Sequence, residues 1–286
     1  MQASPPDTMF GEQVSILMRE VAADVVMPRF RSLAPGEVAE KTPGEIVTVA
    51  DREAEARLYA GLAALDAGAR IVGEEAVSRD PGLLDGVGDG RVWLIDPLDG
   101  TANFAAGRFP FGMMIALVED GEPIEGWIFD PPSGRLCHAR RGHGATCDGQ
   151  PVPVSGPRSR RLPPRAALGS HFLEPDRRAA LHAFAARTLD VQPVPRCAAE
   201  SYVRLVLGQD DIALFQRILP WDHAAGALFL TEAGGKITHW DCTPYRVGGS
   251  GKGVLAAADA KLWHLASGLV RDPVAGLVGR EDNLHA

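Results

Sequence analysis

The sequence predicts an α+β fold, and three patterns predict it. Near the start, Phe10, Val14, Leu17, Val21 and Val25 recur at helical spacing. From residue 92 to 155 the chain changes to short strand-like runs punctuated by turn residues. From 166 onward, helical and strand-like stretches alternate, which predicts a second α/β layer. With 286 residues, the chain is long enough to bury a large core in one domain or two.

Taken in order, the first pattern predicts a helix over residues 10–33, ended around Pro28. Residues 34–46 are rich in glycine, proline and charge and read as a loop. A short strand is expected over 47–49. Asp51 then opens a second helix with Glu53 and Glu55 in its first turn, where acidic side chains meet the positive end of the helix dipole. Ile71-Val72 reads as a strand before Gly73-Glu74-Glu75, and 78–90 as a surface loop. Strands over 113–118 and 126–129, joined by the turn Glu119-Asp120-Gly121, and the later turns Pro132-Ser133-Gly134 and Asp148-Gly149 predict an antiparallel sheet of hairpins. The stretch 155–165 carries four arginines and three prolines and reads as a boundary. It separates an N-terminal half, 1–155, from a C-terminal α/β half, 156–286. Beyond it come a strand over 166–169, a helix over 175–189, a helix over 202–207, a strand over 212–215 and a helix over 224–233.

Composition excludes several functions. A net charge of −8 argues against broad binding to nucleic acid or anionic membranes, both of which need basic surface. No run approaches about 18 apolar residues, so no membrane span is expected. The first residues, with Asp7 and Glu12, lack the basic start of a signal peptide. Cys137, Cys147, Cys197 and Cys242 are scattered without zinc or CxxC spacing and read as reduced thiols of a cytoplasmic protein.

The chemistry is concentrated in Asp96-Pro97-Leu98-Asp99-Gly100-Thr101, directly after the apolar run Val92-Trp93-Leu94-Ile95. Two carboxylates against a buried strand repel each other and resist desolvation unless a cation lies between them. Oxygen ligands without nearby His or Cys select Mg²⁺, Mn²⁺ or Ca²⁺ over zinc. Gly100-Thr101 precedes a short helix with Thr101 near its N-cap, where free amides suit a phosphate. Glu74 and Glu75 after their strand, and Asp222 at the start of a later helix, are further carboxylates for such a site. Taken alone, the glutamates read as a solvated turn and Asp222 as a cap. Lys41, Thr48 and Asp51 are weaker candidates.

These motifs resemble the inositol monophosphatase family. The segment 93–104 is similar to its first signature, and Trp221-Asp222-His223-Ala224-Ala225-Gly226 followed by Glu232-Ala233-Gly234-Gly235 to its second. Val47-Thr48-Val49-Ala50-Asp51 and Gly73-Glu74-Glu75 resemble its two other metal-site elements, in the same order. The resemblance implies a layered α-β-α-β-α fold, an antiparallel-sheet half plus a smaller α/β half, and a homodimer. It implies a Mg²⁺-dependent, lithium-sensitive phosphomonoesterase with two or three ions, Mn²⁺ being a possible substitute. Glu74, Asp96 and the Leu98 carbonyl would hold one ion. Asp96, Asp99 and Asp222 would hold a second, and Glu74 with water a weaker third. Thr101, bonded to Asp51, and Glu75 would orient and deprotonate the attacking water, and the Gly100 and Thr101 amides would receive the phosphate.

The resemblance implies a small phosphorylated alcohol as substrate, with inositol monophosphate as the default. Asp99, Glu200, Ser201 and Gln216 are the expected substrate contacts. The segment Arg196-Cys197-Ala198-Ala199-Glu200-Ser201 departs from the family's Arg-x-x-Gly-Ser/Thr-Ala pattern: Ala199 replaces the glycine and Glu200 adds a carboxylate. Gln216 stands where many members carry an acid. Glu200 would suit an amine-bearing alcohol, so histidinol phosphate is the first alternative substrate and a nucleotide 3′-phosphate the second. A catalytically idle binding protein is the remaining reading.

Overall fold

The computed structural model describes residues 8–42, 44–152 and 162–271. Helix α1 (Thr8–Val21) continues through a π-helical segment, Ala22–Val26, into the turn α2 (Met27–Arg29). The widened segment comes just before Pro28, which has no N–H to give; the Met27 N–H reaches back to the Ala22 carbonyl instead. Residues 34–46 are not simply a loop. They contain β1 (Val38–Thr42) and the start of β2 (Glu45–Thr48), an antiparallel hairpin with a break in register between Glu40 and Thr42. β1 is largely exposed, so no apolar alternation announces it.

Helix α3 (Val49–Leu65) starts with Thr48 as N-cap and Asp51 completing a capping box, so Asp51 lies inside the first turn. After β3 (Arg70–Gly73), Glu74 and Glu75 begin helix α4 (Glu74–Arg79), and a 3₁₀ turn, Pro81–Leu84, occupies part of the expected 78–90 loop. The chain then forms β4 (Arg91–Asp99), α5 (Thr101–Ala105), β5 (Gly112–Glu119), β6 (Glu122–Asp130), β7 (Arg135–Arg140), β8 (Gly144–Cys147) and β9 (Gln150–Pro151). Strands β3 to β9 make one sheet in chain order, parallel only at β3–β4. The expected boundary at 155–165 lies mostly outside the described residues.

The second sheet has the order β11-β10-β12-β14-β13. It is built from β10 (Arg165–Gly169), β11 (Asp190–Gln192), β12 (Ile212–Phe215), β13 (Lys236–His239) and β14 (Val254–Ala257). Its helices are α6 (Pro175–Ala185), α7 (Ala198–Val206), α8 (Pro220–Glu232), α9 (Ala260–Ala266) and α10 (Gly268–Arg271). The helix expected over 175–189 stops at Ala185 because the chain turns into β11. Helix α7 begins at Ala198, ahead of the expected 202; Cys197 gives no side-chain cap, and a carboxylate from another element takes its place. Gly234, at φ 86°, follows the end of α8, as the paired glycines predict.

Side-chain alternation shows how the layers stack. In β4, Trp93 and Ile95 join the core against α1 and α3, while Val92 and Leu94 face α7 and α8. In the second sheet, Ala213, Val254 and Ala256 share that inner core, and Ile212, Leu214, Leu255 and Ala257 face α6, α9 and α10. The order is therefore helices, seven-stranded sheet, helices, five-stranded sheet, helices. Both faces of β4 are covered, which is why its sequence is a continuous apolar run up to Asp96. That run ends where the helix starts gather.

Candidate active site

Asp51, Glu74, Glu75 and Asp222 each lie in the first turn of a helix, α3, α4 and α8 respectively, and Thr101 opens α5. Helix N-termini carry partial positive charge and unpaired amides, so this is where a fold can best tolerate a collection of acids. Asp51 is buried and receives the Thr48 N–H at 2.8 Å and the Thr48 hydroxyl at 2.5 Å on one oxygen. Its other oxygen lies 2.9 Å from the Thr101 hydroxyl, which is also 2.9 Å from the Leu98 carbonyl. Burial pushes the Asp51 carboxyl up to about 7, against the hydrogen bonds from Thr48. Gly100 reaches φ 83° between β4 and α5, a backbone that glycine adopts freely.

Asp96, Asp99 and Asp222 influence one another. Burial raises the Asp96 carboxyl well above its usual range, and the neighbouring charges of Glu74, Asp99 and Asp222 add to it. Asp99 is pushed up to about 6, mainly by burial. Asp222 is raised by burial, then by Asp99 and Glu74. Asp96 accepts the Leu98 N–H at 3.0 Å, and Asp99 accepts the Ala199 N–H at 2.7 Å, so Asp99 caps α7 from across the fold. No donor among the described residues reaches the Asp222 carboxylate.

A cation bonds directly into this group. The Lys41 ammonium, from the β1–β2 hairpin, bonds Glu74 at 2.8 Å and Glu75 at 2.7 Å. Burial opposes its charge, but the two glutamates outweigh burial and its pKa is raised. Glu75 is raised by burial, against the Lys41 hydrogen bond. Among the described residues no three His, Cys, Asp or Glu side chains are grouped so as to hold an ion. The donor set itself fits a divalent cation. It offers carboxylate oxygens and the Leu98 carbonyl, no sulfur or imidazole, and more negative charge than one lysine answers.

The profile of the inositol monophosphatase family matches residues 12–272. The chain belongs to the inositol monophosphatase family. Among curated relatives of this family, the inositol-1-monophosphatase of Mycobacterium leprae is 36% identical over 236 residues, 78% of this chain and 79% of its own. A histidinol-phosphatase of Chlorobaculum parvum is 32% identical over 256 residues, 87% of this chain and 92% of its own. The solved IMPase structure from Thermotoga maritima has a TM-score of 0.73 and 26% identity, covering 93% of this chain and 95% of that one. As an inositol monophosphatase family member the chain is a phosphatase, a phosphoric monoester hydrolase of a metal-dependent family that acts on small phosphorylated substrates. No helix among the described residues is long and apolar enough to cross a membrane.

The remaining expected residues fall into two groups. Leu98, Gly100 and Thr101 sit together at the end of β4, beside Asp51. Glu200, Ser201 and Gln216 are less uniform. Glu200 is bonded to Arg135 at 2.9 Å, and Arg135 is also 3.3 Å from Asp130. Ser201 is buried and donates to the Cys197 carbonyl at 2.9 Å. The Gln216 Oε1 is buried without a partner among the described residues.

Sequence reasoning missed Glu55 as part of this region. It is buried, its carboxyl is raised to about 7 by burial, and it accepts the Glu75 N–H at 2.7 Å, fixing the start of α4. Its position four residues after Asp51 places both acids on one face of α3, and that spacing was the available signal. Arg135 and Arg217 were also missed. Arg217 pairs with Glu45 and its carbonyl lies 2.9 Å from the His223 Nε2, contacts that join distant segments and leave no local pattern.

Proposed function

We propose that this phosphatase hydrolyses a small alcohol monophosphate, inositol monophosphate by default, with two or three Mg²⁺ ions that Mn²⁺ can replace. The observation carrying this reading is the gathering of Glu74, Asp99 and Asp222 charges around the buried Asp96, beside the Thr101–Asp51 hydrogen bond. Glu74, Asp96 and the Leu98 carbonyl would hold one ion, and Asp96, Asp99 and Asp222 a second. When bound, such ions lower the pKa of coordinated water and stabilise the leaving alkoxide. The chain's own groups do the rest. Asp51 fixes the Thr101 hydroxyl so that it can orient the attacking water, and Glu75 receives the proton once Lys41 releases its carboxylate. The Gly100 and Thr101 amides receive the phosphate oxygens, with glycine allowing close approach.

The choice between a neutral polyol and an amine-bearing alcohol turns on Glu200. Its charge is already answered by Arg135, which supports inositol monophosphate over histidinol phosphate. The histidinol-phosphatase relative keeps the second substrate in view, with nucleotide 3′-phosphates behind it. A phosphate-release screen with Mg²⁺ across polyol, amino-alcohol and nucleotide monophosphates tests the proposal; the highest kcat/KM is expected on inositol monophosphate. Mg²⁺ binding without hydrolysis of any monoester would instead support the idle binding protein.

We further infer that residues 1–155 and 156–286 act as two halves, supported by the two sheets. A homodimer is proposed from the family likeness, and light scattering of the purified chain tests it. A cytoplasmic setting is supported by the four free cysteines. The net charge of −8 supports the absence of a nucleic-acid partner.

A further inference from the structure

Cys137 on β7 and Cys147 on β8 are direct partners in the antiparallel register, and their sulfurs lie 3.7 Å apart. The neighbouring pair, Leu136 and Asp148, is joined by a hydrogen bond from the Asp148 N–H to the Leu136 carbonyl. Hydrogen-bonded and non-hydrogen-bonded pairs alternate along an antiparallel ladder, so the two cysteines occupy a non-hydrogen-bonded pair. There the Cα atoms approach to about 4.5 Å, inside the range that a disulfide spans. Both residues are free thiols here. None of the expected site residues involves them.

The hairpin that carries them is held in place. Both oxygens of Glu232, at the end of α8, accept N–H groups from its turn, Gly142 at 2.9 Å and Gly144 at 2.8 Å. Cys147 is partly exposed and Cys137 is buried. We propose that Cys137 and Cys147 form a reversible oxidation site, closing to an intrachain disulfide by exchange with an oxidised low-molecular-weight thiol.

Exposure sets the order of events. Cys147 loses its proton, and its thiolate attacks one sulfur of the external disulfide. That bond breaks, and the first small thiolate leaves and is protonated. Cys137 then gives its proton to solvent, and its sulfur attacks the Cys147 sulfur of the mixed disulfide and expels the second small thiolate. Two protein thiols are oxidised and one small disulfide is reduced to two thiols. Burial, followed by the neighbouring Cys147, raises the Cys137 pKa, so the second step is expected to be the slow one.

The test incubates the reduced full chain with oxidised glutathione, then alkylates under denaturing conditions and measures mass. The alkylatable thiols should fall from four to two, with a cross-linked peptide joining Cys137 to Cys147, and dithiothreitol should restore all four. C137S should stop at a lasting glutathione adduct on Cys147, while retained phosphatase activity shows that this variant folds. Four free thiols in the wild type after incubation would overturn the proposal. So would a lasting Cys147 adduct in the wild type, or a cross-link through Cys197 or Cys242.

Discussion

Asp96 and Asp222 repel each other from opposite halves of the fold, yet their surroundings differ. Asp96 receives the Leu98 amide, and its neighbours Glu74 and Asp99 both hold protein donors. Asp222 has none among the described residues, and beside it the Trp221 Nε1 and the Tyr245 hydroxyl are buried without partners, as is the Gln216 Oε1 elsewhere in this half. Buried polar groups in native proteins are nearly always satisfied, so unpartnered ones are places where water or a bound group can be accepted. The acids of the first half are thus held by hydrogen bonds, one of which, from the Ala199 N–H to Asp99, reaches across from the second half. The second supplies Asp222 and buried polar atoms without partners among the described residues, and we propose that substrate choice varies there.

The largest expected effect is on turnover. Asp96→Asn and Asp222→Asn should each lower kcat by at least about a hundredfold, since each removes charge that would stabilise the transition state through bound cations. The two variants should differ in the metal-free protein. Asp96→Asn removes a buried carboxylate that three acids oppose, so its metal-free form should melt higher than wild type. Asp222→Asn should gain less, because Asp222 is only half-buried. Wild-type rates of phosphate release from either variant would sink the site assignment, and equal gains in melting temperature would erase the contrast between the halves.

The second half does have one fixed chain of contacts, and it can be broken. The Tyr202 hydroxyl meets the His223 Nδ1 at 2.8 Å, and His223 continues to the Arg217 carbonyl. Burial lowers His223 to about 4, so the ring is neutral and one nitrogen donates while the other accepts. A methyl group on Gly226 would overlap the Tyr202 ring. Gly226→Ala should therefore cost about 1–3 kcal/mol by overpacking, read as a lower denaturation midpoint. An unchanged midpoint would mean that Tyr202 is free to move and that this half is looser than its hydrogen bonds suggest.

Legibility followed the same division. The β4 motif was readable because Asp96, Asp99 and the Gly100-Thr101 turn are contiguous and interrupt an apolar run. The order of layers was partly readable: the helical spacing in α1 and the short strand-like run of β12 are local properties, while β13 and β14 were not read and the layering came from the family resemblance. The β1–β2 hairpin was not, because its pairing rests on backbone bonds beneath exposed, charged side chains. Nor was the Asp99 cap of α7, which joins residues 100 positions apart. The Glu200–Arg135 pair is likewise a contact between sheet and helix that no spacing rule exposes.

The acids of the first half also predict a pH dependence for the metal-free protein. Asp51 and Glu55 rise to about 7 and Asp99 to about 6, from 3.8, 4.5 and 3.8 in an unperturbed chain. The folded state therefore holds protons more tightly than the unfolded state across this window. Stability should fall as pH rises from about 4 to about 7, with a slope of at most about 1.4 kcal/mol per pH unit for each group, and less for Asp99, which water partly screens. Denaturant midpoints measured across that range in a chelator check the sign. Glu55→Gln should flatten the upper part of the curve. Stability that increases with pH would show that the first half's hydrogen bonds overcome burial.

The smallest effect is expected at Glu200, where the second half meets the substrate question. Its partner Arg135 keeps Asp130 at 3.3 Å, so Glu200→Gln orphans no charge, and a partly exposed pair of this kind is worth about 0–1 kcal/mol. Changes in KM should stay within about threefold and be equal for inositol monophosphate and histidinol phosphate. A rise confined to histidinol phosphate, about tenfold or more, would mean that Arg135 yields the carboxylate to an ammonium group when substrate arrives. Glu200 would then join Gln216 among the open contacts, and the division between a fixed chemical half and an adjustable half would sharpen around the amine-bearing substrate.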